Sequence, residues 1–258
     1  MNDWIEGLYR ELDEWNDAGV EATLWWRDDD AQAPSAALER VIGLAQTYAA
    51  PVALAVIPQH MAAALAGRVR PSGPQSVAVL QHGFSHHNHA PPGEKKMELG
   101  HHRPPAEVHS QLAAGFAALE SAFEAQFVPA LTPPWNRIAP GLLEGLAGTG
   151  FTGLSTFGPR HAMLPGPGLC AVNTHVDIID WKRHKRFVGA PRAAEGLVAH
   201  LSGRRLGRFD REEPTGLLTH HLVHDRACWD FLGQLLAALD DHPAVRWLRA
   251  AEVFAARR

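Results

Sequence analysis

The strongest constraint on this chain is its alternation of short apolar runs with helix-length amphipathic stretches, with Pro34, Pro51 and Pro58 marking the first joints. Val52-Ala53-Leu54-Ala55-Val56-Ile57 and Val77-Ala78-Val79-Leu80 are continuously apolar rather than alternating. Such runs belong to strands covered on both faces, the condition of a parallel sheet flanked by helices. Ala22 to Trp26, a run into Leu131, Phe151 to Ser155, Ala171 to Ile179, Gly216 to Leu222 and Val245 to Leu248 read as further strands. Helices are expected at Ser35–Ala49, 105–127, from Pro140, near 192–202 and near 227–240. Strands that alternate with crossover helices predict an α/β protein, here a distorted (β/α) barrel of seven or eight mostly parallel strands.

Ahead of the barrel, Trp4, Ile5, Leu8, Leu12 and Trp15 recur at helical spacing between acids, which predicts an amphipathic helix over 3–17. The expected organisation is a helical segment, 1–20, packed on a single barrel domain, 21–258, since a chain of 258 residues builds one substantial core. Pro- and Gly-rich stretches at 67–74, 90–93 and 158–168 read as loops.

A formal charge of −4 spread along the chain provides no footprint for nucleic acid or an acidic membrane, so neither is an expected partner. Arg183-His184-Lys185-Arg186 reads as a solvated basic loop. Cys170 and Cys228 form no paired-cysteine motif and are expected to be buried, reduced thiols. The start of the chain lacks a secretory signal and no apolar run reaches the roughly 20 residues of a membrane span, so the expected location is cytoplasmic.

In parallel α/β folds the chemistry collects where strands end, and the conspicuous polar residues of this chain fall there. Asp28-Asp29-Asp30 closes the first strand, His82 and His86 follow Val79-Leu80, Trp135 follows Leu131, Asp177 and Asp180 close a later strand, and His220 ends Leu217-Leu218-Thr219. Two histidines four residues apart can share a metal from one turn. His87 or His89 remains an alternative ligand among the sixteen histidines. Adjacent aspartates point different ways, so one can bind metal while its neighbour faces a reacting water. Gly166-Pro167-Gly168-Leu169-Cys170-Ala171 matches a dinucleotide loop by count only, because it precedes a strand instead of opening a helix.

The order of these elements resembles the polysaccharide deacetylase family, the NodB-homology group of carbohydrate esterases. The resemblance rests on the acidic run after the first strand, His82-x-x-x-His86, Pro133-Pro134-Trp135, Asp177-Ile178-Ile179-Asp180-Trp181 and Leu218-Thr219-His220, and spans about residues 22–250. It implies a polysaccharide deacetylase-like catalytic domain over 21–258, with Asp29 as general base and Asp30, His82 and His86 as metal ligands; Asp28 and Asp29 are the alternative register. It further implies His220 as general acid, with His221 able to exchange roles, and Asp180 as its supporting acid, with Asp177 close behind. Trp135, Arg137, His89 and Trp181 are expected to contact substrate. The family's third motif usually begins with an arginine that orients the base, whereas Thr132 stands there; Arg27 or Arg137 would have to reach the base from elsewhere.

What the resemblance implies is a metal-dependent hydrolase that removes an acetyl group from an N-acetylated amino sugar or glycan by attack of a metal-bound water. Zinc is the first expectation, and cobalt, nickel or iron suit the same donor set. A ureide or other small-amide hydrolase on the same fold, or a non-catalytic metal- or carbohydrate-binding relative, is the alternative. Loop 90–103 is expected at the substrate entrance or on the mobile surface. Oligomeric state is not readable from the chain.

Overall fold

The computed structural model describes residues 3–166, 168–183 and 185–255; Pro167 and His184, and with His184 part of the basic run at 183–186, lie outside the described residues. Its strands are β1 (Ala22–Ala31), β2 (Val52–Val56), β3 (Val77–His82), β4 (Phe127–Thr132), β5 (Gly153–Leu154), β6 (Cys170–Ala171), β7 (Val176–Asp177), β8 (Ile179–Asp180), β9 (Arg186–Phe187), β10 (Thr215–Thr219) and β11 (Val245–Trp247). The helices are α1 (Asp3–Asp17), α2 (Ala36–Thr47), α3 (Ala64–Val69), α4 (Pro105–Phe123), α5 (Leu143–Leu146), α6 (Ala190–Arg205), α7 (Arg226–Asp240) and α8 (Ala250–Val253).

Eight strands form a curled, parallel sheet in the order β6-β5-β4-β3-β2-β1-β10-β7, and β11 joins β1 at Ala22–Leu24. The result is a barrel-like (β/α) fold. One segment spans its two edges: Val172 and Thr174 donate to Leu154 and Thr156 beside β5, and His175 and Ile178 then donate to Gly216 and Leu218 of β10. The single strand expected over Ala171–Ile179 is therefore broken into β6, β7 and β8, because the chain changes partner midway.

Side-chain parity explains how the barrel fills. Trp25 points inward and packs with Ala53, Ala78, Leu80, Ala130 and Phe254. Small residues on the facing strands make room for the indole, whose Nε1 donates to the Asn173 carbonyl at 3.0 Å. A Cβ on Gly216 would lie 2.6 Å from that nitrogen, so the position accepts only glycine. Truncating a buried tryptophan of this kind costs about 3–5 kcal/mol. Leu24, Trp26, Leu54, Val77 and Val79 face outward into the larger core beneath the helices.

Helix boundaries follow local chemistry. Ser35 caps α2 by accepting from Leu38 N, and Asp225 caps α7 by accepting from Cys228 N, which explains the His224-Asp225 pair as a helix start. Helix α1 is anchored to α6 by Glu11, which pairs with Arg205, and by Trp15 beneath the Arg204 guanidinium. The helix expected from Pro140 amounts to the four-residue α5 between two 3-10 turns, Pro140–Leu142 and Ala147–Thr149. Gly141, Gly145 and Gly148 weaken it, and Gly145 lies so close to the His109 ring that no side chain fits. The antiparallel β8–β9 hairpin is an addition that apolar periodicity does not reveal. Among the described residues no helix is long and apolar enough to cross a membrane.

A candidate metal and catalytic centre

The inward parity that places Trp25 also points Arg27 and Asp29 into the barrel, while Trp26 and Asp28 face outward. Alternation would next turn Asp30 away from the mouth. A register shift between Asp28 and Ala31, with Asp30 at φ +71°, breaks the alternation, so that two successive aspartates reach one cleft. Strand β1 thus runs through the acidic run rather than ending before it.

The three aspartates have different partners. Asp28 is fully buried and accepts from Thr219 Oγ1 at 2.6 Å and from His221 N at 3.1 Å, and it also pairs with His221 Nδ1. Burial opposes ionisation of Asp28, but the His221 charge and hydrogen bond hold its pKa below the usual range, while Asp28 in turn raises that of His221. This pair ties β1 to β10. His221 is thereby occupied, and His220 is the one that faces the cleft.

Asp29 is gripped by Arg27, whose Nε and Nη2 donate to its two oxygens at 2.8 and 3.0 Å. Arg27 is 0% exposed and also donates to the Ser155 hydroxyl at 2.7 Å and to Asn136 Oδ1 at 2.7 Å. It supplies, from two residues upstream, the guanidinium that Thr132 does not. Arg137 instead donates to the Lys96 carbonyl at the cleft edge.

Asp30 Oδ1 lies 3.2 Å from His82 Nε2 and 3.4 Å from His86 Nε2. Burial disfavours its charge, yet the neighbouring His82, His220 and His86 hold its pKa well below the usual carboxylate range. His82 Nδ1 is 3.0 Å from the Thr132 carbonyl, which can only accept, so Nδ1 carries a proton and Nε2 faces Asp30. Burial lowers the His82 pKa, but Asp29 and Asp30 raise it overall; burial and His82 lower that of His86. Asp30 Oδ1 is buried without a satisfactory hydrogen bond, and the three donor atoms lie within 4.8 Å of one another. Two imidazole nitrogens and one carboxylate oxygen converging on a partly unsatisfied point suit a divalent cation.

The second histidine is held by Glu98, which sequence reasoning missed. Its buried carboxylate accepts from Phe84 N, Ser85 N, Ser85 Oγ and His86 N, wrapping the turn after β3 around one anion. Gly83 starts that turn at φ +56°, where a Cβ would strike Glu98 and Pro134. His86, Trp135 and Asn136 also adopt positive φ (+55°, +55° and +56°), a strained conformation for such residues. The Trp135 ring packs 4.4 Å from that of His86.

On the other side of Asp29, His220 Nε2 lies 3.9 Å from Asp29 Oδ2, and its Nδ1 lies 4.0 Å from Asp177 Oδ1. Burial raises the Asp177 pKa. Asp177 accepts from Ile179 N and from Trp181 Nε1 at 2.7 Å, and the Trp181 ring stands edge-on to His220 at 4.6 Å. Of the two acids considered for supporting His220, Asp177 is beside it. Asp180 accepts from Lys182 N and Arg183 N and lies 3.8 Å from Arg192, a turn-capping role set by its place at the start of the hairpin loop.

These groups line a cleft of about 1270 Å³ that includes Asp29, Asp30, His82, His86, Trp135, Arg137, Trp181 and His220. His89 does not line it; it faces a neighbouring hollow with His60, His87 and Arg103, behind the His86 turn. His175, His200 and Glu213 form another buried grouping. There the two rings stack at 3.4 Å and 18°, which sets their planes side by side, whereas a shared ion would have to lie in both planes.

No protein-family model and no curated protein matches the sequence. Solved structures do share the fold. A protein from Mycobacterium smegmatis assigned as a polysaccharide deacetylase superposes with a TM-score of 0.61 at 15% identity, covering 91% of this chain and 89% of that one. The peptidoglycan N-acetylglucosamine deacetylase Bc1960 has a TM-score of 0.55 at 13% identity, over 95% and 97%. A family 4 acetyl xylan esterase from Clostridium thermocellum, solved with a cobalt ion, has 0.53 at 12%, over 90% of each chain.

Proposed function

From a chain that carries the fold of polysaccharide deacetylases and family 4 carbohydrate esterases, we propose a metal-dependent hydrolase that removes an acetyl group from an N-acetylated amino sugar or glycan. The observation that carries this reading is the division of labour at the cleft: Asp30, His82 and His86 converge, Asp29 is fixed beside them, and His220 stands on the far side of Asp29.

Asp30, His82 and His86 would hold the divalent ion, with zinc expected first and cobalt, nickel or iron suited to the same donors. When bound, the ion supplies Lewis-acid polarisation of the acyl carbonyl and makes water a better nucleophile. Asp29 accepts the proton of the attacking water, its carboxylate plane fixed by both arms of Arg27. His220 delivers a proton to the departing amine, because an amine anion is not a viable leaving group. Asp177 stabilises the imidazolium form that this step requires. Trp135 and Trp181 wall the sugar from opposite sides of the centre, one against His86 and one against His220.

The test is acetate release from N-acetylglucosamine oligomers by protein loaded with zinc or cobalt, compared with Asp29→Asn and His82→Ala. Asp29→Asn is expected to keep its metal and lose turnover, and His82→Ala to lose metal as well. Retained turnover in Asp29→Asn would sink the base assignment. Bound metal with no hydrolysis of any amide would favour a binding protein on this fold.

A further inference from the structure

The charges of the cleft are unevenly committed. Its four acids, Asp29, Asp30, Asp177 and Asp180, each already face a partner: Arg27, the His82–His86 pair, His220 with Trp181, and Arg192 with two backbone amides. Its cations are Lys96, Arg137, Lys182, Lys185 and Arg192. Among the described residues, only Arg192 of these lies within ion-pair distance of a carboxylate. The excess runs against the formal charge of −4 of the chain as a whole.

The cations are also placed on both flanks of the centre. Lys96 Nζ lies 6.0 Å from the Trp135 ring, which packs on His86, and Lys185 Nζ lies 6.0 Å from the Trp181 ring, which packs on His220. Each flank therefore reads outward as imidazole, indole, ammonium. An indole suits the face of a sugar ring, and an ammonium one ring further out suits an anion carried by that sugar. Lys96, Lys182 and Lys185 thus line the cleft with no carboxylate partner among the described residues, and Arg137 is bound only to the Lys96 carbonyl, so the rim favours an anionic substituent on either flank.

We infer that the substrate is an acylated amino sugar bearing phosphate, with its amide at Asp29 and His220 and its phosphate against the lysine of one flank, Lys96 beside Trp135 or Lys185 beside Trp181. This rests on the deacylase reading and adds the charge class of its substrate. A sugar monophosphate and a nucleotide diphosphate sugar present the same chemistry.

The experiment compares N-acetylglucosamine 1-phosphate, UDP-N-acetylglucosamine, N-acetylmuramic acid and a neutral N-acetylglucosamine trimer, using zinc-loaded wild type and the Lys96→Ala/Lys185→Ala double variant. The expected wild-type preference for a phosphorylated substrate over the neutral one is about tenfold or more in kcat/KM. In the double variant the ratio falls about tenfold, through KM, and in the wild type it falls as salt rises. Which phosphate compound is preferred identifies the source. A wild-type ratio near one, a ratio unchanged in the variant, or a preference for N-acetylmuramic acid would overturn the proposal. Calorimetric binding of N-acetylglucosamine 1-phosphate to both proteins reads the rim without turnover. Weaker binding in the variant supports it even if no substrate is hydrolysed, a result that would sink only the deacylase reading; equal binding overturns it.

Discussion

Replacing Arg27 by methionine tests the centre through stability alone. Methionine fills much of the space of the arginine stem but removes every donor. Arg27 and Asp29 are 0% and 1% exposed, so the variant leaves a carboxylate in the barrel mouth without its cation. Removing one member of a buried ion pair costs about 3–5 kcal/mol. Ser155 and Asn136 lose a donor at the same time, so the upper part of that range is expected. For a protein near this size, each kcal/mol moves Tm by roughly 2–4 °C, which puts the loss at about 8–16 °C or more. Urea unfolding of the wild type, Arg27→Met, and Arg27→Met/Asp29→Asn measures it. The double variant buries no unpaired charge and should recover about 2 kcal/mol or more of the loss. An Arg27→Met protein within about 1 kcal/mol of wild type, or a double variant no more stable than the single, would refute the view that Asp29 is held as a buried anion by this guanidinium.

Asp177→Asn should lower kcat by about 10²-fold or more while Asp180→Asn stays within a fewfold of wild type, because only Asp177 lies against the His220 imidazole; steady-state kinetics on any deacylated substrate separates them, and equal effects would place the supporting acid elsewhere. Glu98→Ala should weaken metal binding about 10–100-fold, read by competition with a chelator, since four donors of the His86 turn lose their acceptor. His200, buried beside His175 and Arg204, is pushed down from 6.5 to about 2. The folded state therefore refuses a proton that the unfolded chain accepts. The stability associated with its neutral form is present above pH 6.5 and is lost as pH falls from there towards 2, by up to about 1.4 kcal/mol per pH unit. Unfolding curves at pH 7, 6 and 5 should fall more steeply for wild type than for His200→Asn, and parallel curves would contradict this.

The barrel was legible because its strands are long enough to carry a pattern: β1 to β4 and β10 announce themselves as apolar runs, and their prolines and helices fix the order. The dipeptide strands from Gly153 to Asp180 carry too few residues for any periodicity, and their pairing is set by a chain segment that switches neighbours. In the centre, motif order nominated candidates that the fold brings to one cleft, His89 excepted. It was not enough to divide labour among the three aspartates or between Asp177 and Asp180, because those choices depend on a bulge in β1 and on where the β8–β9 hairpin begins. Strand parity offered a usable signal for Arg27, which falls on the same face as Asp29. Glu98 left no such signal, since a loop carboxylate that binds backbone amides looks in sequence like any surface acid.

Among the described residues, seven that are not glycine adopt positive φ, and five of them, Asp30, His86, Trp135, Asn136 and Lys185, line the cleft. At each of these positions glycine would relax the backbone and erase the side chain in the same step. Selection for a more heat-resistant version of this chain would therefore meet a conflict at its cleft, where the easiest gains coincide with the loss of whatever the cleft does. Thermal improvement should accumulate instead in the helical shell and the α1–α6 contact, leaving the rim strained in sturdy and fragile descendants alike.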